Sequence, residues 1–294
     1  MVAVVAGGVL AAVVAALAGW IPWLGTLHLS AYGIALLVAV IAGYVVILPR
    51  ARAIGVAERQ VIDVVMLALV AGLLGARLFE VIDHWPEYAA PGGKPAGWGA
   101  FLARAADIDG GGMVWYGGAL VGTAAVVIYA WRCRIPVLQL ADVMLPGMLV
   151  GVAIGRIGCF FNGCCYGRVC DLPWAVVARG DHGVVAARHP TQLYETVACA
   201  VLAGMTWWWW RRRRSDGEVA LMAVIGYALW RFGEEFLRED KVMVRMWGVF
   251  PLSTAQVISV HLMLVTLVVV GVVVWYRQRR SRQEEGDPGA GTPP

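Results

Sequence analysis

Polar positions are sparse along this chain and fall in clusters, with long apolar runs between them. Residues 30–49 carry no charge and close at Pro49-Arg50. A second run, 61–82, holds Asp63 near its start and Arg77 and Glu80 near its finish. Further runs cover 113–132, about 138–161, about 192–210, 218–238 and about 252–276. Each is long enough for the roughly 20 helical residues that cross about 30 Å of hydrocarbon. The pattern predicts an all-α, polytopic membrane helix bundle with seven core transmembrane helices. Residues 1–24 are also apolar but lack a basic start, so they read as an extra N-terminal span rather than a cleaved signal peptide. The core then covers 25–280, and residues 281–294, with Glu284, Glu285 and three prolines, read as a disordered cytosolic tail. No polar linker separates two apolar halves, so one bundle is expected.

Composition sharpens this reading. The chain has 294 residues, 60% of them hydrophobic and only 15% charged, with a mean hydropathy of +0.70. A soluble domain carries about 25% charged residues. The net charge of +4 is modest and spread over short loops, which argues against a nucleic-acid surface. Loops 50–60, 132–137, 211–217 and the tail 277–294 hold thirteen lysines and arginines, and they alternate with the sparser loops 83–112, 163–191 and 239–251. The positive-inside rule places the dense loops and the C-terminus in the cytosol. Trp207 to Trp210, beside Arg211 to Arg214, suit an interfacial belt.

Charge inside hydrocarbon is costly, so each buried ionisable group calls for a partner or a function. On this topology Arg77, Arg156, Arg231 and Arg238 all lie in the outward halves of their spans, with Glu80, Glu234 and Glu235 in the same layer. Interhelical ion pairs or snorkelling ends are the structural alternative. Tyr227, Arg231, Glu234/Glu235 and Arg238 recur at helical spacing and stripe one face of the sixth span. The fourth carries Gly147, Gly151 and Gly155, small residues that let helices approach closely. Arginine's planar fork suits bidentate recognition of phosphate, so an outward cationic pocket suggests an anionic phospholipid headgroup.

Four segments stand out from the apolar background: GGMVWYGG (Gly111–Gly118), GRIGCFFNGCCYG (Gly155–Gly167), HPTQLYE (His189–Glu195) and YALWRFGEEFLRED (Tyr227–Asp240). In their order and spacing, together with Tyr32-Gly33, the Gly-Ala-Arg ending at Arg77, the Asp142 span and Leu252-Ser253…Gln256, the chain resembles the prolipoprotein diacylglyceryl transferase family over roughly residues 25–275. The resemblance implies a seven-span bacterial inner-membrane enzyme with its active site toward the periplasm. Such an enzyme transfers the diacylglyceryl group of phosphatidylglycerol to the lipobox cysteine of an exported preprolipoprotein, forming a thioether and releasing glycerol phosphate. Its partners would be that lipid and that protein, with no nucleic acid.

Carried onto this sequence, the family's signature arginine is Arg156 and its second essential arginine Arg231. Its tyrosine is Tyr227, and the asparagine and glycine of its signature are Asn162 and Gly167. Gln192 and Glu195 match the segment that Thr191 enters in place of serine. Tyr116 stands where the family often has a histidine, to which the general-base role is assigned, and Cys159 stands where it has asparagine. Arg156 and Arg231 are the expected phosphate clamp, with Arg77 or Arg238 assisting. Tyr32, Asn162, Gly167, Gln192, Glu195 and Glu235 are candidates for substrate binding. The proton acceptor is left among Tyr116, His189 and a water held by Tyr227; His189 serves equally well to orient a helix start.

Six cysteines are present. Cys199 lies mid-span and suits core packing, and Cys133 falls on the reducing side. Cys164 or Cys165 paired with Cys170 would staple the loop. Cys159, Cys164, Cys165 and Cys170 lack zinc-site spacing, so neither a metal centre nor a cofactor is expected. A divergent relative with another acceptor remains the nearest alternative, on the strength of Tyr116 and Cys159. A non-catalytic lipid-binding or transport protein is the other, although the inverted repeats and midplane breaks of a transporter are not seen.

Overall fold

The computed structural model describes residues 31–90, 97–107, 114–179, 184–239, 243–246 and 250–268. The expected N-terminal segment and C-terminal tail lie outside the described residues. Helices stand at every one of the seven core positions. They are α1 (Ala31–Ala53), α2 (Glu58–Asp83), α5 (Trp115–Arg132), α6 (Val137–Asn162), α7 (Thr191–Trp210), α8 (Glu218–Glu234) and α9 (Thr254–Val268). Two short helices, α3 (Trp85–Ala89) and α4 (Trp98–Ala106), sit in the loop before α5. Two antiparallel hairpins complete the described elements: β1 (Val176–Arg179) with β2 (Val185–Arg188), and β3 (Met243–Met246) with β4 (Phe250–Ser253). Among the described helices, α1, α2 and α6 are long and apolar enough to cross a membrane. Their exposed side chains are apolar too: Leu36, Leu37, Ile41 and Val45 on α1, and Leu69, Val70, Leu73 and Leu74 on α2. Such surface is stable facing lipid, not water. The protein is an all-α polytopic membrane protein.

The chain divides into two compact units, 1–43 with 145–294, and 44–144. Their borders fall inside α1 and α6, where no polar linker marks them in the sequence.

In the unit 44–144, α2 and α5 run antiparallel along a seam of glycines. A Cβ added to Gly75 would lie 2.5 Å from the Gly117 carbonyl oxygen, and one on Gly117 would lie 2.5 Å from that of Gly75. Gly118 faces Gly72, and Gly122 faces Ala68 and Gly72. In lipid, where apolar surface gains nothing by leaving its solvent, such backbone proximity supplies the dispersion contact that holds helices together. Tyr129 adds a hydrogen bond to Asp63 at 2.9 Å. Helix α1 runs past Pro49 to Ala53, beyond its expected end. There the buried Arg50 turns its Nη1 back to the Val46 carbonyl at 2.8 Å, one residue beyond the Val45 carbonyl that Pro49 leaves without its helical donor.

In the other unit, α6 packs on α1 through its glycine face. Gly147 meets Gly43, Gly151 meets Ala39, and Gly158 meets Ala35 and Tyr32. Gly155 has open space around it, so Gly158 takes the place expected of Gly155. Leu149 and Ala153 of α6, Cys199 of α7 and Ala223 of α8 form one buried cluster, with Tyr227 packed at its edge. The Thr196 hydroxyl donates to the Ala153 carbonyl at 3.1 Å, tying α7 to α6. At the end of α7, Arg212 stacks over Trp208 at 3.9 Å and Arg213 over Trp210 at 3.5 Å, as an interfacial anchor would.

The seam makes a direct prediction. Gly117→Ala lowers the stability of the detergent-solubilised protein by about 1–3 kcal/mol, because backbone and the Phe79 side chain occupy the new methyl's place. Gly155→Ala leaves the thermal unfolding midpoint unchanged. Thermal unfolding of the two variants side by side is the check.

Candidate active site

Helices α6, α7 and α8 bring arginines and carboxylates together. Arg156, in the penultimate turn of α6, sets its Nε 2.6 Å from Oε2 of Glu195 on α7. The other oxygen of Glu195 accepts the Tyr227 hydroxyl of α8 at 2.9 Å. One fully buried carboxylate therefore orients a cation and a phenol from two other helices. One turn beyond Tyr227, Arg231 sets its Nη1 3.3 Å from Glu234 and 2.8 Å from Glu235. The two groups meet at Glu234, which lies within electrostatic reach of Glu195, Arg231, Arg156 and Arg238. The stripe predicted on the sixth span is thus real from Tyr227 to Glu234.

The predicted continuation to Arg238 is not helical. α8 tightens into a 3-10 turn over Glu235–Leu237, and Arg238 is extended, paired across an antiparallel bridge with Gly167. Gly167 explains the change. Its amide donates to His189 O at 2.9 Å, the next amide, of Arg168, donates to Leu237 O at 2.8 Å, and a Cβ at Gly167 would lie 2.6 Å from that oxygen. Only glycine fits between the two segments.

Exposure divides the layer by charge. The Arg156 and Arg231 side chains are 20% and 18% exposed, whereas Glu195, Glu234 and Glu235 are at most 4%. The carboxylates are the buried members of the layer and the guanidinium groups its partly exposed members. Glu195 occupies only Nε of Arg156, and Glu234 and Glu235 only Nη1 of Arg231. The remaining N–H groups can grip an anion, while the carboxylates behind them hold the forks in place.

The loop after α6 is pinned against this layer. Gly163 and Cys165 have left-handed backbone, with φ of 73° and 63°. The Thr191 hydroxyl donates to Cys165 O at 2.8 Å, and the Gln192 amide to Cys164 O at 2.5 Å. The first turn of α7 thus caps the signature loop, and Thr191 replaces serine without losing the hydroxyl. Asn162 is exposed, with its amide 3.8 Å from the Cys164 sulfur. Tyr32 lies against Gly158 and within electrostatic reach of Arg156. The Cys165 thiol is drawn below its usual range, first by the hydrogen bond from Cys159 and then by Arg238 and Arg156, against its burial.

His189 sits to one side. Its main chain pins Gly167, while its Nδ1 lies 3.4 Å from the Tyr194 hydroxyl, which accepts from Trp174 at 2.7 Å. Arg77 and Tyr116 belong to the unit 44–144. Arg77 is buried, its Nε and Nη2 donating to the carbonyls of Ala105 and Arg104 at 2.9 and 2.6 Å and its cation 5.4 Å from the Tyr88 ring. It closes the C-terminal end of α4, where helix carbonyls lack partners. Tyr116 is half-buried in the first turn of α5. The six cysteines are free thiols, with Cys199 in the core as expected. Arg188 was missed by the sequence reading. It is buried, paired with Glu239, and reaches Gly167 O at 3.4 Å. Its only signal was its place immediately before His189-Pro190.

A helical membrane bundle whose carboxylates present arginine forks is one suited to holding an anionic headgroup. The profile of the prolipoprotein diacylglyceryl transferase family matches residues 20–274, and the chain belongs to that family. It is similar to phosphatidylglycerol–prolipoprotein diacylglyceryl transferases of several bacteria. That of Pseudoalteromonas translucida is 33% identical over 227 residues, 76% of this chain and 79% of the relative. That of Synechococcus elongatus is 32% identical over 269 residues, 88% and 87%. That of Finegoldia magna is 28% identical over 250 residues, 85% and 91%.

Removing one partner of a buried pair strands the other charge. Glu195→Ala is therefore expected to destabilise the protein by about 3–5 kcal/mol. The exposed Arg52–Glu58 pair, at 2.7 Å, serves as the control: Arg52→Ala costs at most about 1 kcal/mol. Thermal unfolding of both variants in one detergent reads the difference.

Proposed function

We propose that this protein transfers the diacylglyceryl group of phosphatidylglycerol to the lipobox cysteine of exported preprolipoproteins. It would do so in the bacterial inner membrane, with seven core spans over 25–280, a cytosolic C-terminus and the active site toward the periplasm. The observation that carries the reading is the double use of Glu195, which fixes Arg156 and Tyr227 together at the edge of a layer that also holds Arg231. Family membership supplies the reaction; the arginine layer supplies a reason why this chain can perform it.

Arg156 and Arg231 grip the phosphate of the lipid through the N–H groups their carboxylates leave over, with Arg238 completing the cationic surround. As the lipobox sulfur bonds to the glycerol carbon, the carbon–oxygen bond breaks. Its electron pair leaves with the phosphate oxygen as glycerol phosphate. The charge growing on that oxygen is stabilised by guanidinium groups already oriented in a poorly hydrated site, so little reorganisation is needed. The thiol must lose its proton to become the nucleophile. Tyr116 and His189 remain the candidates for taking it, together with a water at Tyr227. Tyr227 is also a positioning group, since its hydroxyl is spent on Glu195. Tyr32, Asn162 and Gly167 shape the surroundings of the headgroup, with Gln192 holding the loop and Glu235 holding Arg231. Arg77 acts indirectly, through α4.

The test is transfer from phosphatidylglycerol to a lipobox peptide by the purified protein. Arg156→Ala and Arg231→Ala are each expected to lower the rate by about 10²–10³-fold, the usual cost of one transition-state charge stabiliser. Lysine at either position restores only part of it, because a point charge does not replace a fork. Full activity in either alanine variant would remove the clamp.

A further inference from the structure

Three thiols that the transfer reaction does not use converge at the end of α6. Cys159 lies in its last turn, and Cys164 and Cys165 follow in the loop; their sulfur atoms all lie within 4.8 Å of one another, each partly buried. The convergence is built by the backbone. A non-glycine residue with φ of 63°, as at Cys165, adopts an uncommon conformation that must be held. Thr191 and Gln192, at most 1% exposed, hold it by taking the carbonyls of Cys165 and Cys164. The Cys164 thiol in turn lies 3.6 Å from the Cys159 carbonyl. The thiols therefore project from an anchored turn.

We propose that Cys159, Cys164 and Cys165 form a three-coordinate binding site for one soft monovalent cation of the Cu(I) class. Metal–thiolate bonds of about 2.3 Å place three ligands of a trigonal site about 4 Å apart, so the sulfurs need to close by less than about 1 Å. Thiolate is the ligand that selects soft cations. The number of ligands decides between the two ions that thiolate commonly holds. Arg156 and Arg238 both act electrostatically on Cys165, and Arg156 also acts on Cys159. Three thiolates around a monovalent ion leave two negative charges, within reach of two guanidinium groups that also act on Glu234. A divalent zinc would leave one, and its structural sites want a fourth protein ligand. Among the described residues no further cysteine, histidine or carboxylate joins the three. The cysteines lack the spacing of zinc motifs, yet the left-handed Cys165 lies in a turn that brings adjacent cysteines together. Binding exchanges thiol protons for the cation and changes no oxidation state.

The experiment uses the full chain in detergent, reduced and anaerobic, titrated with Cu(I) buffered by bicinchoninate. The expected result is one Cu(I) withdrawn per chain, with release of protons. X-ray absorption of that complex should show three sulfur neighbours at about 2.3 Å, a readout that needs no variant. Loss of a mere second-shell partner weakens metal sites by about 10–100-fold, so Cys159→Ser and Cys165→Ser are each expected to weaken binding by more than about 100-fold. Cys133→Ser and Cys199→Ser should still take up one. No uptake by the reduced protein would overturn the proposal. So would uptake unchanged in Cys165→Ser, or nitrogen and oxygen rather than sulfur around the metal.

Discussion

The structure of the unit 1–43 with 145–294 depends on a carboxylate buried where three helices meet. Glu195 accepts from Arg156 of α6 and from Tyr227 of α8, while its own helix carries Cys199 and Thr196 into the core beside them. In a bilayer the hydrophobic effect gives helices little reason to prefer one packing. A shared buried carboxylate does give one, because any rearrangement strands a charge in a poorly hydrated interior. The same constraint positions function: a guanidinium held from behind presents its other edge, already oriented, to whatever anion arrives.

Among the described residues the layer brings together equal numbers of opposite charges, Arg156, Arg231 and Arg238 with Glu195, Glu234 and Glu235, on α6, α7, the end of α8 and the segment just after it. A neutral layer can persist in a membrane without a ligand. On the proposed reading, an anionic headgroup enters by sharing arginines with resident carboxylates. Affinity is limited by that competition, which suits an enzyme that must release glycerol phosphate at the end of each turnover.

Much of this was written in the apolar pattern. Among the described residues helices appear where the apolar runs placed them, and the Tyr227–Arg231–Glu234 stripe follows from helical spacing alone. What the pattern did not carry were departures from regular geometry. Arg238 leaves the helix because Gly167 pairs with it, a contact between residues far apart in sequence. Arg77, read as part of the lipid pocket, caps α4, a role the sequence could not display because the acceptors are main-chain carbonyls. The α2–α5 seam was not read from the sequence, although Gly72/Gly75 and Gly118/Gly122 stand at helical spacing; only the packed pair shows which glycines of one helix meet those of the other. The clustering of three thiols goes with two left-handed residues, Gly163 and Cys165, in one turn.

The most direct measurement of the central claim is an experimental structure of the protein with phosphatidylglycerol bound. The account predicts the lipid phosphate within hydrogen-bond distance, about 3 Å, of both Arg156 and Arg231, with Glu195 still behind Arg156. A phosphate seated away from either arginine, in a complex competent for transfer, would contradict it.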